Sequence, residues 1–109
     1  MITGDFSCLA KVRAVALDLD GVVYVGSSLL PGAAEAVKKF GKLDINVYFA
    51  TNNSFRTREE IARKLTHMGI PAVEKQVLTS GYAAGALIAR LCPQQPAHVL
   101  VIGSDGLRD

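Results

Sequence analysis

The stretch that decides how this chain is read is VALDLDGVVY, Val15 to Tyr24. An apolar run enters it, and two carboxylates separated by one leucine end it. Buried carboxylates are costly unless something pairs with them. Residues two apart on a strand point to the same side, so Asp18 and Asp20 converge at the strand's end. Two close carboxylates repel unless a cation sits between them or one holds a proton. That leaves two uses. One is a hard-cation site whose oxygen ligands suit Mg²⁺. The other divides the labour, one carboxylate acting as nucleophile and the other as general acid/base. Gly21 lets the backbone turn tightly beside a ligand. A solvated Asp-Gly turn explains the same residues equally well, and the stretch alone does not separate these readings.

Outward from it, Val12 to Leu19 is nearly free of polar alternation, which predicts a strand covered on both faces, as in a parallel sheet. Gly21 and Gly26 bracket a short extended loop. Pro31 suits a helix N-terminus, and Ala33, Ala34, Val37 and Phe40 then recur at helical spacing. INVYFA, Ile45 to Ala50, is a second apolar strand, with Tyr48 and Phe49 read as core. It ends in TNNS, Thr51 to Ser54. Thr57 and Glu60 have capping-box spacing, Ile61, Leu65 and Met68 form a stripe, and Gly69 then Pro71 stop the helix. A short strand is expected at about Gln76 to Leu78, then a helix from Gly81 to Leu91. HVLVI, His98 to Ile102, reads as a fourth strand. The order β-α-β-α-β-α-β predicts an α/β fold: a parallel, Rossmann-like, three-layer sheet with right-handed crossovers and helices on both faces. Ligands bind such sheets at the carboxyl ends of the strands, where both polar clusters fall.

Thr51 offers a hydroxyl, and Asn52 and Asn53 lie where a βα turn presents backbone amides, an arrangement that binds anions. An Asx turn that starts the next helix explains TNNS too. The pair of motifs is stronger than either alone, because both end consecutive strands of one parallel sheet.

Composition narrows the classes further. The chain has 109 residues, half of them hydrophobic and a fifth charged, enough for one small globular domain. Its formal net charge of +2 gives no argument for nucleic acid or membrane partners. No apolar run reaches the roughly 18 residues of a membrane span. The N-terminal MITGDFSCLA carries an acid early, so no signal peptide is expected. Cys8 and Cys92 sit in no metal-type spacing and read as reduced thiols of a cytoplasmic protein.

LDLDGVVY followed by FATNNS resembles motifs one and two of the haloacid dehalogenase superfamily of phosphohydrolases. The finer resemblance is to its nitrophenylphosphatase-like branch, which includes phosphoglycolate and pyridoxal-phosphate phosphatases. Asp20 to Tyr24, Pro31 to Ala33, Thr51 to Ser54 and Thr79–Ser80 match that branch's recurring segments in order. The resemblance implies a Mg²⁺-dependent phosphomonoester hydrolase with an aspartyl-phosphate intermediate. Asp18 resembles the nucleophile and a Mg²⁺ ligand. Asp20 resembles the acid/base, with its backbone carbonyl as a second ligand. Thr51 and the Asn52 amide resemble the phosphoryl-binding pair, with Gly21 and Val22 adding loop amides.

The resemblance also implies two motifs that do not appear here: a lysine beside the nucleophile and a further acidic metal ligand. Lys38, Lys39, Lys64 and Lys75 read as exposed charges, and Lys42 as a helix-end cation. Asp105 and Asp109 in VLVIGSDGLRD mimic the acidic motif, but Val99 to Leu107 fits the opening of an inserted cap better. Residues 1–92 are therefore expected to form the N-terminal part of the catalytic core. Residues 93–109 are expected to be a linker and the start of a truncated α/β cap. The core would be incomplete and inactive alone, with the edge of the Val12 to Leu19 strand uncovered and open to self-association, there or through the cap. The alternative function is a phosphate- or metal-binding module without turnover. A signalling receiver fits less well, because no acceptor aspartate ends the second strand.

Overall fold

A parallel sheet carries the site, and its central strand does most of the positioning. The computed structural model describes residues 10–94 and 96–108. In chain order the elements are β1 (Ala14–Asp18), β2 (Tyr24–Val25), β3 (Ser28–Leu29), α1 (Ala33–Lys42), β4 (Asn46–Thr51), α2 (Arg58–His67), β5 (Val77–Thr79) and α3 (Ser80–Leu91). Single 3-10 turns follow at Glu74–Gln76, before β5, and at Asp105–Leu107. The sheet order is β1-β4-β5, with both pairings parallel. Short β2 and β3 pair antiparallel with each other, a hairpin where the sequence suggested only an extended loop.

Along β4 burial alternates: Val47, Phe49 and Thr51 are buried, while Asn46 and Tyr48 are exposed. Side chains of a strand point alternately to its two faces, so this sheet has one well-covered face. There Val47, Phe49 and Val77 form one cluster with Ile61, Ala62 and Leu65 of α2 and with Leu19, Val23 and Tyr24. Ala33, Ala34, Val37 and Phe40 of α1 pack against it, so α1 and α2 form one layer. The other face is thinner. α3 supplies its cover near β5, where Ala83 adjoins Ala50 and Leu78. This is an α/β Rossmann-like arrangement in three layers, as the element order predicts.

Three expectations are corrected. β1 is not covered on both faces: Ala14 and Ala16 are exposed while Val15 and Leu17 are half-buried. Tyr48 lies on the thin face at 37% exposure and is not core, unlike Phe49 at 0%. HVLVI is not a strand; His98 to Ile102 has no regular structure, with Leu100 87% and Ile102 85% exposed. A strand needs a ladder partner for its amides and carbonyls, and among the described residues no sheet edge receives this segment.

The local signals around α2 hold. The Thr57 hydroxyl accepts from the Glu60 amide at 3.1 Å, and the Glu60 carboxylate accepts from the Thr57 amide at 2.8 Å. Gly69 takes a φ of +99° just past the helix end, where a side chain would be strained. β1 has one neighbour only, so its other edge is unpaired among the described residues. Cys92 is an exposed free thiol, and Cys8 lies outside the described residues.

Truncating Phe49 to alanine empties the fully buried centre of this core, and the expected loss is about 3–5 kcal/mol. Thr57→Ala removes one cap and costs about 1 kcal/mol. Urea unfolding of the two variants should order them this way.

Candidate active site

The register of β1 and β4 sets Asp18 beside Ala50. The next residue of β4, Thr51, pairs with Thr79 of β5. Asp18, Thr51 and Asn52 therefore meet at the carboxyl end of the sheet. With Ala50, Leu78, Thr79, Ser80 and Ala83 they line one open depression of about 440 Å³.

Several polar groups there have defined partners. Oδ1 of Asp18 accepts from the Leu19 amide at 2.9 Å, which holds the carboxylate and leaves its second oxygen without a partner among the described residues. Thr51, 7% exposed, accepts the Asn53 amide on its Oγ1 at 3.0 Å. A hydroxyl that accepts still has its proton to donate. Asn53 Oδ1 then accepts from the Phe55 amide at 2.9 Å, so the loop is also the Asx turn its composition suggests. Ser80, at the start of α3, donates its hydroxyl to the Asn52 carbonyl at 3.2 Å.

Beyond Asp18 the chain curls. The Leu19 carbonyl accepts from the amides of Val22, Val23 and Tyr24 at 3.2, 2.9 and 3.2 Å. The Gly21 amide donates to the Tyr24 carbonyl at 2.8 Å, and Gly21 takes a φ of +85°. The Gly21 and Val22 amides are thus engaged inside the turn rather than directed to a ligand. Asp20 sits on the outside of this turn, exposed, bridging in sheet fashion to Tyr24.

Tyr24 gives the electrostatics of the corner. Burial pushes its phenol above the usual tyrosine range; the nearby Asp20 carboxylate adds to this, Arg56 opposes it, and Asp18 adds a smaller push. Lys64 lies with its ammonium 4.0 Å from the Tyr24 ring centroid and is half-buried, not the exposed charge its helix position suggested. Cation–π contact holds that charge against the Tyr24 ring. Arg56 was missed as a neighbour of the site; its only signal was its place two residues after TNNS.

Among the described residues, no three His, Cys, Asp or Glu side chains group to hold a metal. The Asp18 carboxylate, with one oxygen unpartnered among the described residues, is a hard-oxygen donor of the kind Mg²⁺ takes, waters filling most of its shell. Asp105 opens the last 3-10 turn and is exposed; Asp109 lies outside the described residues. His67, with its Nδ1 2.9 Å from the Arg63 carbonyl, is held by its own helix.

The fold is a partial α/β Rossmann-like domain with an aspartate ending its first strand and a hydroxyl-bearing loop ending the next. The haloacid dehalogenase-like hydrolase family profile matches residues 15–109, and the chain belongs to that family. It is 39% identical to the 5'-nucleotidase YutF of Bacillus subtilis over 92 residues, covering 84% of this chain and 35% of that protein. It is 38% identical to an acid sugar phosphatase of Staphylococcus saprophyticus, covering 91% of this chain and 38% of the relative. The crystal structure of a 4-nitrophenylphosphatase from Thermotoga maritima superposes with a TM-score of 0.83 at 29% identity, over 92% of this chain and 38% of that one. The chain thus spans 35% to 38% of the length of these phosphatases.

The Tyr24 shift has a consequence at high pH. Below the ordinary tyrosine pKa of about 10 the phenol is neutral whether the chain is folded or not, and its burial stabilises fully. As pH rises toward the raised folded-state value, the unfolded chain ionises first and stability falls. Urea midpoints should therefore drop above about pH 10, and Tyr24→Phe should lessen the drop.

Proposed function

We propose that this chain carries the nucleophile and the first phosphate-binding loop of a Mg²⁺-dependent phosphomonoester hydrolase that works through an aspartyl-phosphate intermediate. The observation behind this is the convergence of a free Asp18 carboxylate oxygen and the Thr51 hydroxyl on one open depression. In the first step the free oxygen of Asp18 attacks phosphorus and the bond to the leaving oxygen breaks, while Asp20 donates a proton to that oxygen. In the second, water attacks the same phosphorus, Asp20 takes its proton, and phosphate leaves with Asp18 restored. The Thr51 hydroxyl and the Asn52 amide hold the non-bridging oxygens, where charge is greatest. Gly21 and Val22 shape the turn that presents Asp20. The Asp18 carboxylate and Asp20, through its backbone carbonyl, would hold Mg²⁺, which when bound neutralises the charge of the two carboxylates and the phosphoryl group.

The relatives' names, a 5'-nucleotidase, an acid sugar phosphatase and a 4-nitrophenylphosphatase, support a small phosphomonoester as the substrate class. Among the described residues no helix is long and apolar enough to cross a membrane. Among the described residues no lysine lines the depression and Asp18 is its one carboxylate, so we propose that these 109 residues alone do not turn over. Residues 1–92 are the core portion and 93–109 the approach to a cap. The β1 edge, unpaired among the described residues, is a surface through which copies can associate.

Incubation with Mg²⁺ and beryllofluoride should label Asp18, read by ¹⁹F NMR, and Asp18→Asn should lose the signal entirely. p-Nitrophenyl phosphate should not be hydrolysed measurably by the 109-residue chain. Hydrolysis by a monodisperse monomer overturns the incompleteness. Mg²⁺ or phosphate binding without trapping supports the alternative, a binding module without turnover.

A further inference from the structure

The turn at Asp105–Leu107 lies fifty residues from the TNNS loop in sequence and directly against it in space. Ser104 donates its hydroxyl to the Ser54 carbonyl at 3.0 Å, and both residues are half-buried. Gly106 is buried. A Cβ there would stand 2.5 Å from the Ser54 carbonyl oxygen and 2.8 Å from the carbonyl carbon and oxygen of Arg56, all backbone atoms that cannot swing aside. On its other side the turn meets α3: a Cβ on Gly81 would lie 3.0 Å from Leu107 Cδ2 and 3.3 Å from the Gly106 oxygen. Glycines at both contacts let three backbones close on one another. The N-terminus of α3 in turn holds the loop a second time, through Ser80 and the Asn52 carbonyl. The loop from Thr51 to Arg56 is thus held at Asn52 by α3 and at Ser54 by the later turn.

We infer that Ser104 and Gly106 are positioning residues for the phosphate-binding loop: the Gly103–Leu107 segment clamps Ser54 and Arg56 and so sets the affinity of the Thr51–Asn52 end for a phosphoryl group. The part of this that concerns phosphoryl affinity rests on the function proposed above; the clamp on the loop does not. The reason is mechanical. Thr51 is fixed by the sheet, but the amides after it depend on a loop whose own bonds are local Asx and hydroxyl contacts. Loss of one hydrogen bond that spans fifty residues frees the loop while leaving the core of Phe49, Leu65 and Val77 intact.

The experiment compares the chain with Ser104→Ala, Ser104→Thr and Gly106→Ala. It measures amide hydrogen exchange at Asn53 and Phe55, binding of beryllofluoride with Mg²⁺, and the thermal midpoint. Ser104→Ala should speed exchange at those two amides and weaken beryllofluoride binding by about three- to tenfold, the effect of one hydrogen bond, at an unchanged midpoint. Ser104→Thr keeps the hydroxyl and should restore both. Gly106→Ala should produce the larger loss, and if it does not fold, the serine pair carries the test. Wild-type exchange and wild-type affinity in Ser104→Ala overturn the clamp. Faster exchange in Ser104→Ala, with no beryllofluoride binding by the wild-type chain, supports the clamp and overturns the phosphoryl reading instead.

Discussion

The pairing of Asp18 with Ala50 across the parallel β1–β4 ladder is the constraint on which the site depends. A ladder of evenly spaced hydrogen bonds has no freedom to slide by one residue without turning every side chain to the other face. Phe49 and Val47 would then leave the core, and Tyr48 would enter it. The hydrophobic core therefore enforces the register, and the register brings Asp18 level with the start of the Thr51 loop. Packing on one face of the sheet and chemistry at its end are coupled through the same few peptide groups.

The corner formed by Leu19 to Tyr24 shows how a buried turn carries an exposed acid. Leu19, Val23 and Tyr24 go into the core, and the Leu19 carbonyl collects three amides. Asp20 and Gly21 are left outside, where a carboxylate keeps its hydration. The strand's end is thus less costly than a buried pair of carboxylates: neither Asp18 nor Asp20 is desolvated, and the desolvated polar group of the corner is the Tyr24 phenol.

Much of this was legible in the residues. DLDG and TNNS each had an alternative as a simple turn, and those turns exist, at Asn53 and at Gly21, beside the residues proposed as the site. The capping box at Thr57 and Glu60 and the stop at Gly69 were readable because they depend only on residues within one turn. HVLVI was misread because apolar, β-branched composition states a preference, whereas a strand requires a partner edge. Tyr48 was misread because a run with no polar alternation does not say which of its faces is covered.

The sequence by itself determined the order of β1, α1, β4, α2, β5 and α3, though not the β2–β3 hairpin or the fate of HVLVI, and it placed two polar clusters at strand ends. These follow from periodicity, caps and turn residues, which act over a few positions. Tertiary structure alone decided which face of the sheet is dry, that Lys64 lies on Tyr24, and that Arg56 lies near enough to act on the Tyr24 phenol. It also decided that Ser104 reaches Ser54. Such contacts join residues far apart in the chain, and their geometry is set by how the layers close on one another. No local pattern records that distance.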